Sequence, residues 1–369
     1  MECKYFGKCG SCKIYNLGYD GQLNLKVDEN RALFEDFFDD FEIFKSLDSH
    51  FRARGEFRIT NHSNISYSMY GFDKKLIKID ECPIMLKPIF NLMPKLIEKI
   101  KKDEVLSYKL FRVDFLSSLN NQTLVSLIYH KPIDEIWEKS AKKLEDLFDI
   151  FIIGRSKGVK RVLSQDFIIE KLKILDKKYL YKQIEGSFTQ PNPYINQKMI
   201  TWAKKNSKNF YGDLLELYCG NGNFTLPLSE NFDKVLATEV SKSSIKAAKE
   251  NIKLNSIKNI KFARLSSEEF VEAFYQKREF RRLKEQEIDL KKYNFSTVFV
   301  DPPRAGLDDT TRELVKEFEN IIYISCNPIT LKRDLKELIK TYKIKKFAFF
   351  DQFPYTPHLE CGVILSKKI

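Results

Sequence analysis

The chain has 369 residues and a formal charge of +12, from 63 basic and 51 acidic side chains. That length exceeds one ordinary core, so two or more domains are expected. No apolar run reaches membrane-spanning length, no signal peptide opens the sequence, and seven scattered cysteines are too few for a secreted disulfide scaffold. A cytoplasmic protein without a membrane is therefore expected. The basic excess suits a polyanionic partner and sits in residues 46–180 and 181–369, whereas residues 1–45 are net acidic.

In chain order, residues 3–12 read CKYFGKCGSC and place Cys3, Cys9 and Cys12 in a C-x5-C-x2-C pattern. From Leu23 the apolar positions Leu23, Val27, Leu33, Phe34, Phe37, Phe38 and Phe41 follow helical spacing. His50 to Ile59 alternates. As a strand it would project Arg52, Arg54, Glu56 and Arg58 from one face. Three guanidinium forks in a row match phosphate oxygens, and a solvated face holding an Arg–Glu pair explains the same residues. Two more strand-like runs follow, the second containing Cys82, and then a helix marked by Ile89, Leu92, Met93, Leu96, Ile97 and Ile100. Lys109 to His130 reads as a hairpin around Asn120-Asn121. Phe111 and His130 stand at its ends, positions from which they can stack on bases, with core or surface packing as the alternative. A charged helix near 133–147, a strand at 150–154 and a turn at Ser156–Gly158 complete an α+β region.

After about residue 180 strands alternate with helices, the pattern of a parallel sheet. DLLELYCGNGNF (213–224) is a strand entering a Gly-x-Gly turn, where backbone N–H groups can approach a ligand closely. Glu239 ends the next strand, the usual place for a carboxylate that accepts from ribose hydroxyls. Asn223-Phe224-Thr225 stand where a dinucleotide site needs a further glycine, and no Gly-Lys-Ser/Thr cradle follows. S-adenosylmethionine, which carries no phosphate, fits this loop better than NAD or ATP. The strand STVFV then delivers Asp301-Pro302-Pro303-Arg304, with arginine where amine methyltransferases often carry a stacking aromatic. Finally, Ile321–Pro328 (IIYISCNP) reads as a buried parallel strand that stops at Asn327-Pro328. Cys326 thus sits at a strand's carboxyl end, where open α/β sheets hold ligands; a buried core cysteine is the other reading.

FRARGEFRI, KLFRVDFLSSL, SFTQPN, GDLLELYCGNGNF, VLATE, VDPPRAGLD, YISCNP and DQFPYTPHLECGV together resemble the RNA 5-methyluridine methyltransferases, and within them the tRNA (uracil-5-)-methyltransferases. The resemblance runs from about His50 to the C-terminus. It implies an α/β, class I S-adenosylmethionine methyltransferase (Rossmann-like) domain preceded by an α+β RNA-recognition domain. The division is residues 1–45 (cysteine segment and helix), 46–180 (RNA recognition) and 181–369 (methyl transfer). It further implies cofactor contacts at Gln190, Tyr218, Asn223, Glu239 and Asp301, with Cys326 as nucleophile and Glu360 as base. The implied substrate is uridine 54 in the T-arm of tRNA, with no obligate protein partner.

The chemistry explains those residue types. Uracil C5 is a poor nucleophile until a thiolate adds at C6 and makes the ring an enolate. The thiol must ionise, so a positive neighbour is expected, and Arg304 is the candidate. His358 is the chemical rival of Glu360 as base. The N-terminal cysteines depart from the tRNA branch: C-x5-C-x2-C with a later Cys-Pro holds a [4Fe–4S] cluster in rRNA-modifying relatives. Cys3, Cys9, Cys12 and Cys82 match that set here, and iron–sulfur, zinc and free thiols stay open. An rRNA methyltransferase and a non-catalytic RNA-binding or chaperone protein are the alternative functions.

Overall fold

The computed structural model describes residues 1–60 and 65–368. Its larger sheet has eight strands, in the order Phe41–Phe44, Tyr342–Phe350, Glu360–Lys367, Asn320–Ser325, Phe295–Val300, Asp213–Leu217, Val235–Thr238 and Ile260–Ala263. The last five are mutually parallel, and Glu360–Lys367 is antiparallel to both of its neighbours. Every residue of Asp213–Leu217, Val235–Thr238 and Asn320–Ser325 is buried, as expected for strands covered on both faces. One face packs under Phe270, Leu314 and Leu335, the other under Trp202, Phe224 and Ala248.

The first helix spans Gly18–Phe34 and stops short of the expected Phe41. The amides of Phe37 and Phe38 both bond the Phe34 carbonyl in a turn, and Phe41 begins an edge strand parallel to Phe347–Phe350. Phe41 stacks on Phe349 with centroids 4.8 Å apart. Helix, turn and strand all press aromatics onto one sheet, so a helical spacing of phenylalanines continued past the helix that produced it.

The second sheet runs Leu76–Ile79, Ser66–Tyr70, Arg54–Thr60, Leu110–Ser117, Thr123–Tyr129, Phe151–Ser156 and Val159–Val162. The Leu110–Tyr129 hairpin turns where predicted, with Asn121 at φ +67°. Helices Lys87–Lys101 and Glu135–Phe148 cover one face through Ile89, Met93, Leu96, Trp137 and Ala141. Pro88 in the first turn of the former costs no hydrogen bond, since that N–H would be unpaired anyway. The hairpin Phe167–Ile174/Lys177–Ile184 joins the two halves. Ile168 packs with Leu124 and Ile153, while Leu172, Tyr179 and Tyr181 pack in the core of the larger sheet. The change of sequence pattern near residue 180 falls inside this hairpin. Among the described residues, no helix is long and apolar enough to cross a membrane.

Candidate active site

From Asp213–Leu217 the chain winds outward through Val235–Thr238 and Ile260–Ala263, then returns to the other side of its starting strand at Phe295–Val300. The crevice at the carboxyl ends of these strands is the topological switch point, where doubly wound sheets bind ligands. Tyr218, Gly220 and Gly222 lie there with φ of +61°, +56° and +86°. A Cβ on Gly222 would stand 2.6 Å from Leu226, whereas one on Gly220 would meet nothing within 4 Å. The turn therefore needs glycine at 222 and leaves open space above 220.

Glu239 braces this loop, accepting from the Gly220 amide (3.1 Å) and the Ser241 amide (2.7 Å). Asn223 exchanges side-chain bonds with Asn196 at 2.8 and 2.9 Å. Burial raises the Tyr218 hydroxyl above its ordinary range, and burial pushes the Asp301 carboxyl up to about 7. The structure thus gathers Tyr218, Asn223, Glu239 and Asp301 at adjoining strand ends. Gln190 enters from the loop before helix Pro193–Asn206 and accepts from Gln352 Nε2 at 2.7 Å.

Two buried atoms beside it, Thr189 Oγ1 and Gln352 Oε1, have no hydrogen-bond partner. Buried polar atoms left unpaired are costly, so this corner is built for a polar ligand. The residues fit the amino-acid end of S-adenosylmethionine, which offers ammonium donors. Sequence reasoning misses Gln352, because its partner lies 162 positions away; its place in DQFPYTPH was the available signal.

Cys326 follows strand Asn320–Ser325, and Asn327 caps the helix Pro328–Leu338 that starts immediately after it. Ser325 pairs with Cys361 across the antiparallel ladder. The ladder ends there, with Cys326 and Glu360 the next residue on each chain, and the two groups feel each other electrostatically. Burial, then Glu360 and Asp301, raise the Cys326 thiol to about 11, with Arg304 acting in the opposite direction. This corrects the expectation of a lowered thiol pKa: Arg304 is near, but desolvation and two carboxyls outweigh it. Burial and Asp301 likewise push Glu360 up to about 8, against Arg304. His358 is exposed, edge-on to Phe353, and its pKa is lowered by partial burial and by Arg304. Thiol, two carboxyls and one guanidinium therefore form an electrostatically coupled group, in which Glu360 is buried whereas His358 is exposed.

On the second sheet the alternation holds. Arg54, Glu56 and Arg58 share a face, and Glu56 pairs with Arg112 at 3.0 Å. Arg58 lies 5.1 Å from the ring centres of both Tyr70 and Phe111, and Phe111 stacks on exposed His130 at 4.1 Å. Arg54 lies over Phe188 at 5.5 Å. Arg52 departs from the expected outward row. It precedes the strand, donates from Nε to the Arg54 carbonyl at 3.0 Å, and is largely buried.

Arg52 lines a cavity of about 730 Å³ whose wall also carries Cys3, Cys9, Cys12 and Cys82. Among the described residues, no group of three His, Cys, Asp or Glu stands in metal-holding geometry. The four thiols line one space without standing in metal-holding geometry. Burial, reinforced by the neighbouring thiols, raises Cys3, Cys82 and Cys12, the last to about 12. Protein contacts tie the segment to the second sheet: Lys4 and Tyr5 bind Asp80, and the Gly10 amide donates to the Tyr70 carbonyl.

A sequence-family model described as tRNA (Uracil-5-)-methyltransferase matches residues 18–368, leaving Cys3, Cys9 and Cys12 outside the match. A curated relative from a Nitratiruptor species, named tRNA/tmRNA (uracil-C(5))-methyltransferase, is 57% identical over 367 residues, covering 100% of both chains. A relative of the same name from Aliarcobacter butzleri is 51% identical, covering 100% of this chain and 99% of the other. Among solved structures, the fold is similar to that of the Pyrococcus abyssi tRNA (uracil-54, C5)-methyltransferase in complex with S-adenosyl-L-homocysteine. The TM-score is 0.71 at 24% identity, covering 97% of this chain and 86% of that one.

Proposed function

The chain belongs to the tRNA (uracil-5-)-methyltransferase family and has the class I S-adenosylmethionine-dependent fold, and from that premise we propose that it methylates C5 of uridine 54 in the T-loop of tRNA through a covalent adduct between Cys326 and C6. The relatives' names extend the same reading to tmRNA. The observation that supports it is the coupling of the Cys326 thiol to Glu360, Asp301 and Arg304 where the Asn320–Ser325 and Glu360–Lys367 strands meet at the crevice.

Cys326 acts as a thiolate. Arg304 is the cation that favours it, and because the resting thiol titrates near 11 its proton must pass to solvent before the sulfur attacks. The sulfur adds to C6, and the ring's electrons move to C5 and O4. Bound S-adenosylmethionine supplies an electrophilic methyl group, held by Gln190, Tyr218, Asn223, Glu239 and Asp301. Glu360, with its pKa near 8, is a carboxylate in part of the population at neutral pH and takes the C5 proton. The C5–H pair becomes the C5=C6 double bond, and the C6–S pair leaves on sulfur. T-loop bases are stacked in folded tRNA, so the target must be turned out of its stack. Arg54 and Arg58 are assigned to phosphate, and Phe111 and His130 to stacking with the opened loop. Arg52, turned inward and largely buried in the wall of the cysteine cavity, is given no phosphate contact. The four cysteines are assigned to a structural [4Fe–4S] centre, with zinc as the rival. Their donor chemistry and convergence on one cavity support this, and binding would draw the thiols together.

The test is methyl incorporation into unmodified tRNA transcripts. Changing uridine 54 to cytidine should abolish it, while labelling that persists in that transcript, or that appears only in rRNA, moves the assignment elsewhere.

A further inference from the structure

Between strands Tyr342–Phe350 and Glu360–Lys367, residues Asp351–Leu359 cross the sheet end without helix or strand. This strap delivers Glu360. It has no ladder of its own, so its buried backbone groups need partners from elsewhere. The Asp351 amide bonds the Phe44 carbonyl and the Tyr355 carbonyl accepts from the Ile14 amide, and the Phe353 and His358 carbonyls and the Tyr355 amide are met by the first helix. Lys26 Nζ donates to Asp351 Oδ1 at 2.5 Å and to the carbonyls of Phe353 and His358 at 3.2 Å each. Gln22 Nε2 donates to Asp351 Oδ2 at 3.0 Å, and Gln22 Oε1 accepts from the Tyr355 amide at 3.0 Å. Gln22, Lys26 and Asp351 are all 0% exposed.

All three protons of the ammonium are used, and they clasp both ends of the strap, the later one two residues before Glu360. A buried ion pair is a poor source of stability, since well-packed apolar side chains of the same volume often do as well or better. What apolar side chains cannot supply is three directed bonds to one irregular segment. The strap also carries Gln352, bonded to Gln190, so the clasp touches both sides of the crevice at one remove.

We propose that Lys26, assisted by Gln22, is a positioning residue: it fixes the Asp351–Leu359 strap so that the Glu360 carboxyl stays aligned to remove the C5 proton. This rests on the reading of Cys326 as nucleophile and Glu360 as base. Lys26 touches neither reacting group and acts through the strap. Loss of the clasp should therefore slow elimination, the step that needs Glu360, more than attack or methyl transfer.

Lys26→Met alone leaves Asp351 buried and unpaired and can unfold the chain. The informative protein is the double variant Lys26→Met/Asp351→Leu, which removes both charges at similar volume. Single-turnover reactions with methyl-labelled S-adenosylmethionine and unmodified tRNA follow the formation and decay of denaturant-stable labelled protein, with Glu360→Gln as reference. In the double variant, decay should slow by about tenfold or more while formation changes by no more than about threefold. Decay at the wild-type rate in a folded double variant, while Glu360→Gln traps the adduct, overturns the positioning role. Equal loss of both rates together with weakened cofactor binding also overturns it, because a merely structural clasp gives that result. Absence of adduct in Glu360→Gln itself removes the underlying reading, and the clasp's role with it.

Discussion

Glu360→Gln is expected to stabilise the protein, and increasingly so as pH rises. An ordinary glutamic acid titrates near 4.5, whereas Glu360, 5% exposed and beside Asp301, titrates near 8. Because the folded pKa is raised, the unfolded chain loses its proton first. The folded state is then penalised progressively between about pH 4.5 and pH 8. At about 1.4 kcal/mol per pH unit of separation, the penalty is under about 1 kcal/mol at pH 5 and about 3 kcal/mol at pH 7. Glutamine fills nearly the same volume and has no proton to lose. Urea unfolding of both proteins, free of cofactor and RNA, should therefore give a stability difference that widens by about 2–3 kcal/mol from pH 5 to pH 7. Parallel stabilities across that range would show that the carboxyl is neither desolvated nor coupled to Asp301, and its basicity would lose its physical cause. The same variant should be deficient in turnover, so stability and activity move in opposite directions, as expected where a site stores an unfavourable group.

Charge reversal of Arg54 and Arg58 should lower the slope of log affinity for tRNA against log salt by about 2, since each phosphate contact contributes roughly 0.9; titrations at several salt concentrations measure it, and an unchanged slope returns both residues to a solvated face. Glu239→Ala removes the carboxylate that braces the Gly220 turn, and S-adenosylmethionine affinity by calorimetry should fall by about tenfold or more, with tRNA binding retained. Anaerobically purified protein should be brown, with about four irons and four acid-labile sulfides per chain, and Cys82→Ser should bleach it. Colourless protein holding one zinc decides for the rival metal.

The crevice was legible because its residues belong to strand ends. A buried apolar run followed by Gly-x-Gly, by Glu239, by Asp301 or by Cys326 states both the element and the place where it stops. The hairpin carrying Phe111 and His130 was legible from its turn at Asn120-Asn121, though not that the two rings stack on each other. What strand patterns cannot carry is the field at a point. Cys326 is governed by its burial and then by Glu360 from one strand and Asp301 and Arg304 from one loop, and the sum pushes its thiol up rather than down. Lys26 reads as an ordinary polar residue between Leu23 and Val27. Only the fold brings Asp351, 325 positions later, against it. Arg52 fits the strand alternation, but it precedes the strand and is turned inward by its bond to the Arg54 carbonyl. The cysteine spacing and the later Cys-Pro picked out four thiols that do line one cavity, but not how far apart they stand within it.

The central claim is that Cys326 carries the uridine during methyl transfer. Glu360→Gln, mixed with unmodified tRNA and S-adenosylmethionine, digested with nuclease and protease and examined by mass spectrometry, tests it directly. The expected product is a peptide in which Cys326 bears a methylated uridine through a sulfur–C6 bond, absent when Cys326→Ala is added. A methylated product formed without any covalent species, or an adduct on another cysteine, would contradict it.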